Sequence, residues 1–159
     1  MRIFNRDELT CEGLPEMWDE YARAGYQNAY RIHTFSDIRS RMENIFLVSD
    51  SGVFLDAGCG AGGMFETIAA KIRPKELWGA DWSQEMLNSA QKKIERLNDR
   101  ADSPLTFKLY KPDFSKPLPW PNNTFDGVIS QVVICYLPYG WKEHVKELHR
   151  VIKPGGACI

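Results

Sequence analysis

Val53-Phe54-Leu55-Asp56-Ala57-Gly58-Cys59-Gly60-Ala61-Gly62-Gly63 is the stretch on which the reading of the whole chain depends. Its first three residues are apolar and read as a buried parallel strand. Four glycines then crowd between Gly58 and Gly63, and Met64, Phe65, Ile68, Ala69 and Ile72 recur behind them at helical spacing. The unit is strand, glycine loop, helix. Without Cβ atoms such a loop turns tightly and lets a ligand touch its backbone. The helix that follows points its free N–H groups back at that ligand. A tight turn that is merely glycine-rich gives the same pattern, so the meaning of this unit rests on the segments around it.

The segments downstream repeat the alternation of strand and helix. Leu77-Trp78-Gly79-Ala80-Asp81 is a short apolar run ending in a carboxylate, after the helix stop Arg73-Pro74-Lys75. Asp81 follows Gly60 by about twenty residues, where a carboxylate at the end of a second strand faces the crevice of a doubly wound sheet and accepts the ribose hydroxyls of a nucleoside. A helix N-cap is the plainer role for an Asp here, but Ser83 already serves as one. Trp82 has two readings, a ring against a purine face or packing at the start of the helix. Residues 84–98 predict a helix with Met86, Leu87, Ala90, Ile94 and Leu97 inward. Leu105–Leu109 reads as the third strand. Beyond it, Asp113 can accept from an exocyclic amine and Phe114 offers a backbone N–H beside it, although an Asp in a loop is commonly only a turn residue.

The fourth strand falls near Gly127–Ser130, and Val132–Leu137 continues apolar and turns helical until Pro138-Tyr139-Gly140. Residues 141–152 predict a helix with Trp141, Val145, Leu148 and Ile152 on its inner face. Lys142, Lys146 and Arg150 then form a basic solvated stripe, with His144 and His149 at the surface. Gly155-Gly156 turns the chain into a fifth strand beginning at Ala157, which leaves an incompletely covered sheet edge open to self-association.

Upstream, a helix is expected from Pro15 through Met17, Trp18, Tyr21 and Ala22 to Gly25, and a second from about Ser36 to Val48. The aromatic residues Trp18, Tyr21, Tyr26, Tyr30 and Phe35 either pack these helices on the sheet or shape a lid over a ligand mouth. The chain thus divides into a helical cap or lid over 1–50 and a core over 51–159.

Composition narrows the function classes. A chain of 159 residues is sized for one domain with one sizeable core. A net charge of −1 argues against a large nucleic-acid footprint. No apolar run is long enough to span a bilayer, and the N-terminus does not read as a signal peptide. The four cysteines are scattered without a C-x-x-C pair, which speaks against a zinc site and for reduced thiols in a cytoplasmic protein.

With these residues in place, the chain resembles the class I S-adenosylmethionine-dependent methyltransferases, and among them the broad group acting on small molecules and lipids, ubiquinone and menaquinone enzymes included. Val53–Gly63 resembles the family's glycine-rich motif and Gly79–Leu87 its ribose-binding segment. Asp113-Phe114 with Leu118–Trp120 and Asn123–Asp126 resembles its adenine-binding segment. Arg150–Gly156 resembles the turn before its fifth strand.

The resemblance implies a Rossmann-like parallel sheet of order 3-2-1-4-5, an S-adenosylmethionine cofactor, and methyl transfer to a small organic or lipid-like acceptor by in-line displacement. It places Asp56, Gly58 and Gly60 around the methionine part of the cofactor. It places Asp81 on the ribose, Trp82 against the adenine, and Asp113 and Phe114 at the adenine edge. The backbone carbonyl of Gln131 would receive the amino group. Three carboxylates from three strand ends are then expected to face one hollow. The family's closing antiparallel hairpin has no counterpart here. The run Gln131–Ile134 also departs from the Asn/Asp-Pro-Pro-Tyr motif of the subgroups that methylate amino-purines or glutamine.

No catalytic residue is assigned. His33, Tyr21 and Tyr136 are candidates for a general base by position alone. Two other functions stay open. Gly58, Gly60 and Gly63 fit G-x-G-x-x-G, so a nicotinamide oxidoreductase is one; Asp56 beside the loop suits an ammonium better than a pyrophosphate and argues against it. The other is a non-catalytic methyltransferase-like domain that binds a partner.

Overall fold

The computed structural model describes residues 13–25, 52–101, 104–131, 133 and 140–159. The helix expected over about 36–48, the apolar continuation after Gln131 (Val133 excepted), His33 and Tyr136 lie outside the described residues. The elements in chain order are α1 (Leu14–Arg23), β1 (Val53–Ala57), α2 (Phe65–Lys71), β2 (Glu76–Ala80), α3 (Gln84–Asn98), β3 (Thr106–Tyr110), β4 (Phe125–Ile129), α4 (Trp141–Val151) and β5 (Ile152–Cys158).

The five strands form one sheet of order β3-β2-β1-β4-β5 with every pairing parallel. Parallel strands need crossovers; α2, α3 and α4 supply three of them, and residues 111–124 join β3 to β4 without a helix. On one face, Phe54, Leu77 and Ile129 pack with Phe65, Ile68 and Ile72 from α2 and its end and with Leu87, Ala90 and Ile94 of α3. On the other, Leu55, Ala80 and Val128 pack with Leu14 and Met17 of α1, with Leu148 and Val151 of α4, and with Trp82, Phe114 and Trp120. Trp120 anchors an aromatic knot on this side, its ring centroid 5.5 Å from Tyr110 and 5.3 Å from Phe125.

Two helices show how local sequence sets the ends and tertiary contacts set the rotation. The α3 helix begins and ends where its apolar period predicts. Its Ser83 cap accepts from the Met86 N–H at 3.1 Å. The α4 helix corrects the sequence reading. Its buried face is His144, Leu148 and Val151, while Trp141 and Val145 are 49% and 41% exposed. The cause lies outside the helix. Arg150 turns into the 118–122 loop and donates to the carbonyls of Trp120 (2.7 Å) and Leu118 (3.0 Å), while its ion-pair partner Glu147 accepts from the Leu118 N–H (2.8 Å). Arg150 is therefore a staple, and not part of a solvated stripe.

The fifth strand also begins earlier than expected. It pairs with β4 from Ile152, and the register shifts between Phe125 and Gly127 on the facing strand. Gly156 lies where a Cβ would stand 2.7 Å from the Asp126 carbonyl, so the backbones pass too closely there for a side chain.

Candidate functional site

The site is built from the carboxyl ends of β1 and β2 and the loops that leave them, where ligands bind in open parallel sheets. Leaving β1, the backbone N–H groups of Gly58 and Cys59 both donate to the Ala80 carbonyl, at 2.7 and 2.9 Å. The glycine loop is thereby tied across the end of β2. Gly58 sits at φ +82°, and a Cβ there would lie 2.0 Å from Cγ2 of Val133, so both the backbone and the neighbour demand glycine. Gly60, at φ +52°, has open space where a Cβ would point. Its N–H donates to Asp81 Oδ2 at 2.9 Å. The other oxygen of Asp81 accepts from the Ser83 N–H at 2.9 Å. Each carboxylate oxygen thus holds one backbone donor and keeps a lone pair for a ligand hydroxyl.

Asp56 stands beside this pair. It is 2% exposed, and its Oδ2 has no hydrogen-bond partner among the described residues. Burial, reinforced by the charge of Asp81, raises its pKa from 3.8 to about 7. Asp81 rises to about 6, again by burial, with the Ser83 and Gly60 N–H groups opposing and Asp19 adding to the rise. The thiol of Cys59, also buried, is pushed well up by burial first and then by the charges of Asp81 and Asp56. A buried acid with an orphaned oxygen is expensive, and a cation delivered to it removes the penalty. The donor set therefore fits a ligand that carries an ammonium near Asp56 and a vicinal diol near Asp81.

The remaining expected residues divide. Trp82 and Phe114 are brought together, rings edge to face with centroids 5.6 Å apart, and both are buried. They supply an apolar, aromatic wall. Gln131, half-buried after β4, has both side-chain amide atoms buried and unpartnered among the described residues. Asp113 is not drawn to the two other carboxylates. It is exposed, accepts from the N–H and Oγ of Ser115 and pairs with Lys116 at 3.0 Å. Those contacts, Ser115 first, hold its carboxyl below the ordinary value. Two of the three expected acids share one buried space, and the third faces its own loop. Tyr21 packs edge-on to Trp18, centroids 5.6 Å apart.

Two neighbours of this site escaped the sequence reading. Asp19, on α1, accepts from Ser83 Oγ and from the Glu85 N–H. No local pattern could reveal it, because its partners are more than sixty positions away. His144, expected at the surface, is 3% exposed, with its ring 5.5 Å from Phe114 and its Nε2 unpartnered among the described residues. Burial lowers its pKa, against the charge of Glu147. Its signal was the period shared with Leu148 and Val151. Among the described residues no group of three or more His, Cys, Asp or Glu could hold a metal ion, and no helix is long and apolar enough to cross a membrane.

Residues 55–159 match the methyltransferase domain family. The sterol 24-C-methyltransferase of Kluyveromyces lactis is 32% identical over 114 residues, covering 69% of this chain and 28% of that protein. The demethylmenaquinone methyltransferase of Geobacillus kaustophilus is 31% identical over 106 residues, covering 66% of this chain and 42% of that protein. The chain thus spans less than half the length of these curated relatives. Among solved structures, an S-adenosylmethionine-dependent methyltransferase from Aquifex aeolicus superposes with a TM-score of 0.62 at 21% identity, covering 96% of this chain and 69% of that one. That likeness establishes the fold.

Proposed function

Because the chain belongs to the methyltransferase domain family, we propose that it forms the cofactor-binding part of an enzyme that methylates a small organic or lipid-like acceptor. The cofactor is S-adenosylmethionine, which when bound supplies a methyl group already activated on a sulfonium. The work left to the chain is binding and alignment in a dry site. Asp56 receives the ammonium, Asp81 receives the two ribose hydroxyls, and Gly58 and Gly60 let the ligand approach the loop backbone. Trp82 and Phe114 flank the adenine. The family resemblance alone assigns Asp113 to the adenine amine, and Gln131 offers its backbone carbonyl to the amino group.

The observation that carries this reading is the orphaned oxygen of Asp56, buried beside a second carboxylate whose oxygens are already oriented by backbone donors. That arrangement repels a pyrophosphate and attracts an amino acid joined to a nucleoside. The acceptor class follows the sterol and menaquinone enzymes to which the chain is similar.

Equilibrium dialysis of the chain against S-adenosylhomocysteine and NADH in parallel tests the cofactor. Binding of the first and not the second is expected, with loss on Asp56→Ala or Asp81→Ala. The reverse preference would establish the oxidoreductase reading instead. Incubation with methyl-labelled cofactor and a cell lipid extract tests the acceptor, since label should move into the organic phase. A chain that binds the cofactor yet transfers no label to lipid or small-molecule fractions would be a binding domain.

A further inference from the structure

The amino end of α3 carries the residues that face the ribose, and its donors are capped from two sources. The Met86 N–H goes to Ser83 Oγ of the same turn, at 3.1 Å. The Glu85 N–H goes to Asp19 Oδ1 of α1, also at 3.1 Å. The same Asp19 oxygen accepts the Ser83 hydroxyl proton at 2.5 Å. Ser83 in turn donates its N–H to Asp81, whose other oxygen holds Gly60. One unbroken run of hydrogen bonds therefore joins α1, the cap of α3, the ribose carboxylate and the glycine loop. Around this run, Leu14 and Met17 of α1 are buried in the same core as Trp82 and Phe114, and Arg23 reaches Glu85 at 3.7 Å.

We propose that Asp19 is a positioning residue for the cofactor: from α1 it completes the cap of α3, fixes the Ser83 hydroxyl and so holds the Asp81 turn ready for a vicinal diol, which couples cofactor affinity to the docking of α1. The inference rests on the cofactor reading above and adds to it a residue with no ligand contact of its own. Without Asp19 the Glu85 N–H loses its acceptor and the Ser83 hydroxyl becomes a free rotor. Coupling of this kind is reciprocal, so the bound cofactor tightens α1 as much as α1 tightens the cofactor.

Asp19 also acts on Asp81 through space. The titratable groups around Asp81 are Asp56 from β1, Cys59 from the glycine loop and Asp19 from α1, while Glu85 of α3 is held by Arg23. Asp19 is the contributor on α1 that raises the Asp81 pKa. A neutral residue at position 19 lets Asp81 ionise at lower pH.

The test is S-adenosylhomocysteine binding to the full chain between about pH 5 and pH 8 for the unsubstituted protein, Asp19→Ala and Asp19→Asn, with the thermal midpoint of each ligand-free form. Asp19→Ala should bind about tenfold more weakly at neutral pH, the scale of a lost cap. Asp19→Asn keeps an accepting oxygen and should recover most of that affinity. In both variants the lower acid step of binding, that of Asp81, should move to lower pH, which a merely structural role would not produce. Unchanged affinity with an unmoved acid step would overturn the proposal. So would an affinity loss that only follows the fall in thermal midpoint, with the acid step in place. If the unsubstituted chain binds no S-adenosylhomocysteine, the cofactor reading itself fails and the inference falls with it.

Discussion

Replacing Asp56 by Asn should make the ligand-free chain more stable and nearly abolish cofactor binding, and the gain should grow as pH rises from about 4 to 7. Asp56 is fully buried, and its pKa rises from 3.8 to about 7 through burial first and the Asp81 charge second. A raised carboxyl binds its proton more tightly in the folded chain than in the unfolded one. It therefore contributes its full stability below pH 4, and that contribution is lost as pH rises through 7. Three pKa units at 1.36 kcal/mol each place the loss at about 4 kcal/mol, shared in part with the coupled Asp81.

Asn has the same shape and no charge. At pH 5, where the unfolded Asp56 has ionised and the folded one has not, it should lead by about 1.5 kcal/mol; at pH 8 the lead should reach about 4 kcal/mol. Urea denaturation of both proteins without cofactor, at pH 5 and pH 8, reads the difference directly. Other carboxylates, Asp113 and Glu147 among them, have lowered pKa values and oppose the trend in either protein alone. They cancel in the comparison of the two. A stability difference that is the same at both pH values would refute the reasoning, because the strain would then not lie in the charge of Asp56.

Cofactor binding should release protons. At pH 7 about half of the Asp56 carboxyls are protonated and must ionise against an ammonium, falling to about a tenth at pH 8; calorimetry in buffers of different ionisation heat measures the count. Gly58→Ala should destabilise by about 2 kcal/mol or more, from left-handed backbone strain and from the clash with Val133, and should lose binding; Gly60→Ala should carry only about 1 kcal/mol of strain and stay folded. Denaturation with a dialysis check separates the two. Arg150→Met should cost about 2–3 kcal/mol by stranding the Leu118 and Trp120 carbonyls and the Glu147 carboxylate, and Lys at that position should not restore the loss, since it lacks the forked donors. Thermal melts of both variants are the measurement.

The parts of the fold legible in sequence were those fixed by short-range pattern. Buried parallel strands read as apolar runs, and the order β3-β2-β1-β4-β5 was the one that the family resemblance implied. The limits of α3 were legible because Ser83 is a good cap and the apolar period is unbroken. The rotation of α4 was not. Its sequence offers two stripes about sixty degrees apart, and the one containing Trp141 carries more hydrophobic surface. What chooses the other is the pull of Arg150 on carbonyls some thirty positions upstream. Asp19 was hidden for the same reason, since a cap donated by another helix leaves no mark on the helix it caps. Asp113 was correctly placed in its loop, but the direction of an exposed carboxylate is decided by its neighbours, here Ser115 and Lys116.

The carboxylates themselves argue that this hollow is kept for a ligand and not for the fold. A chain selected only for stability would neutralise position 56, since an apolar or amide side chain there removes a desolvation penalty without disturbing the β1–β2 register that joins Asp56 to Gly79. Asp81 alone can be accounted for by its two backbone donors, because they orient the glycine loop and the start of α3. Asp56 has no such structural return, since its free oxygen ties down nothing among the described residues and the charge of Asp81 makes it harder still to ionise. The energy stored in that repulsion is recovered only when a cation is brought between the glycine loop and the strand ends. Under the function proposed for Asp56, affinity for the amino-acid end of the cofactor and strain in the empty fold are the same quantity, read from opposite sides of one binding equilibrium.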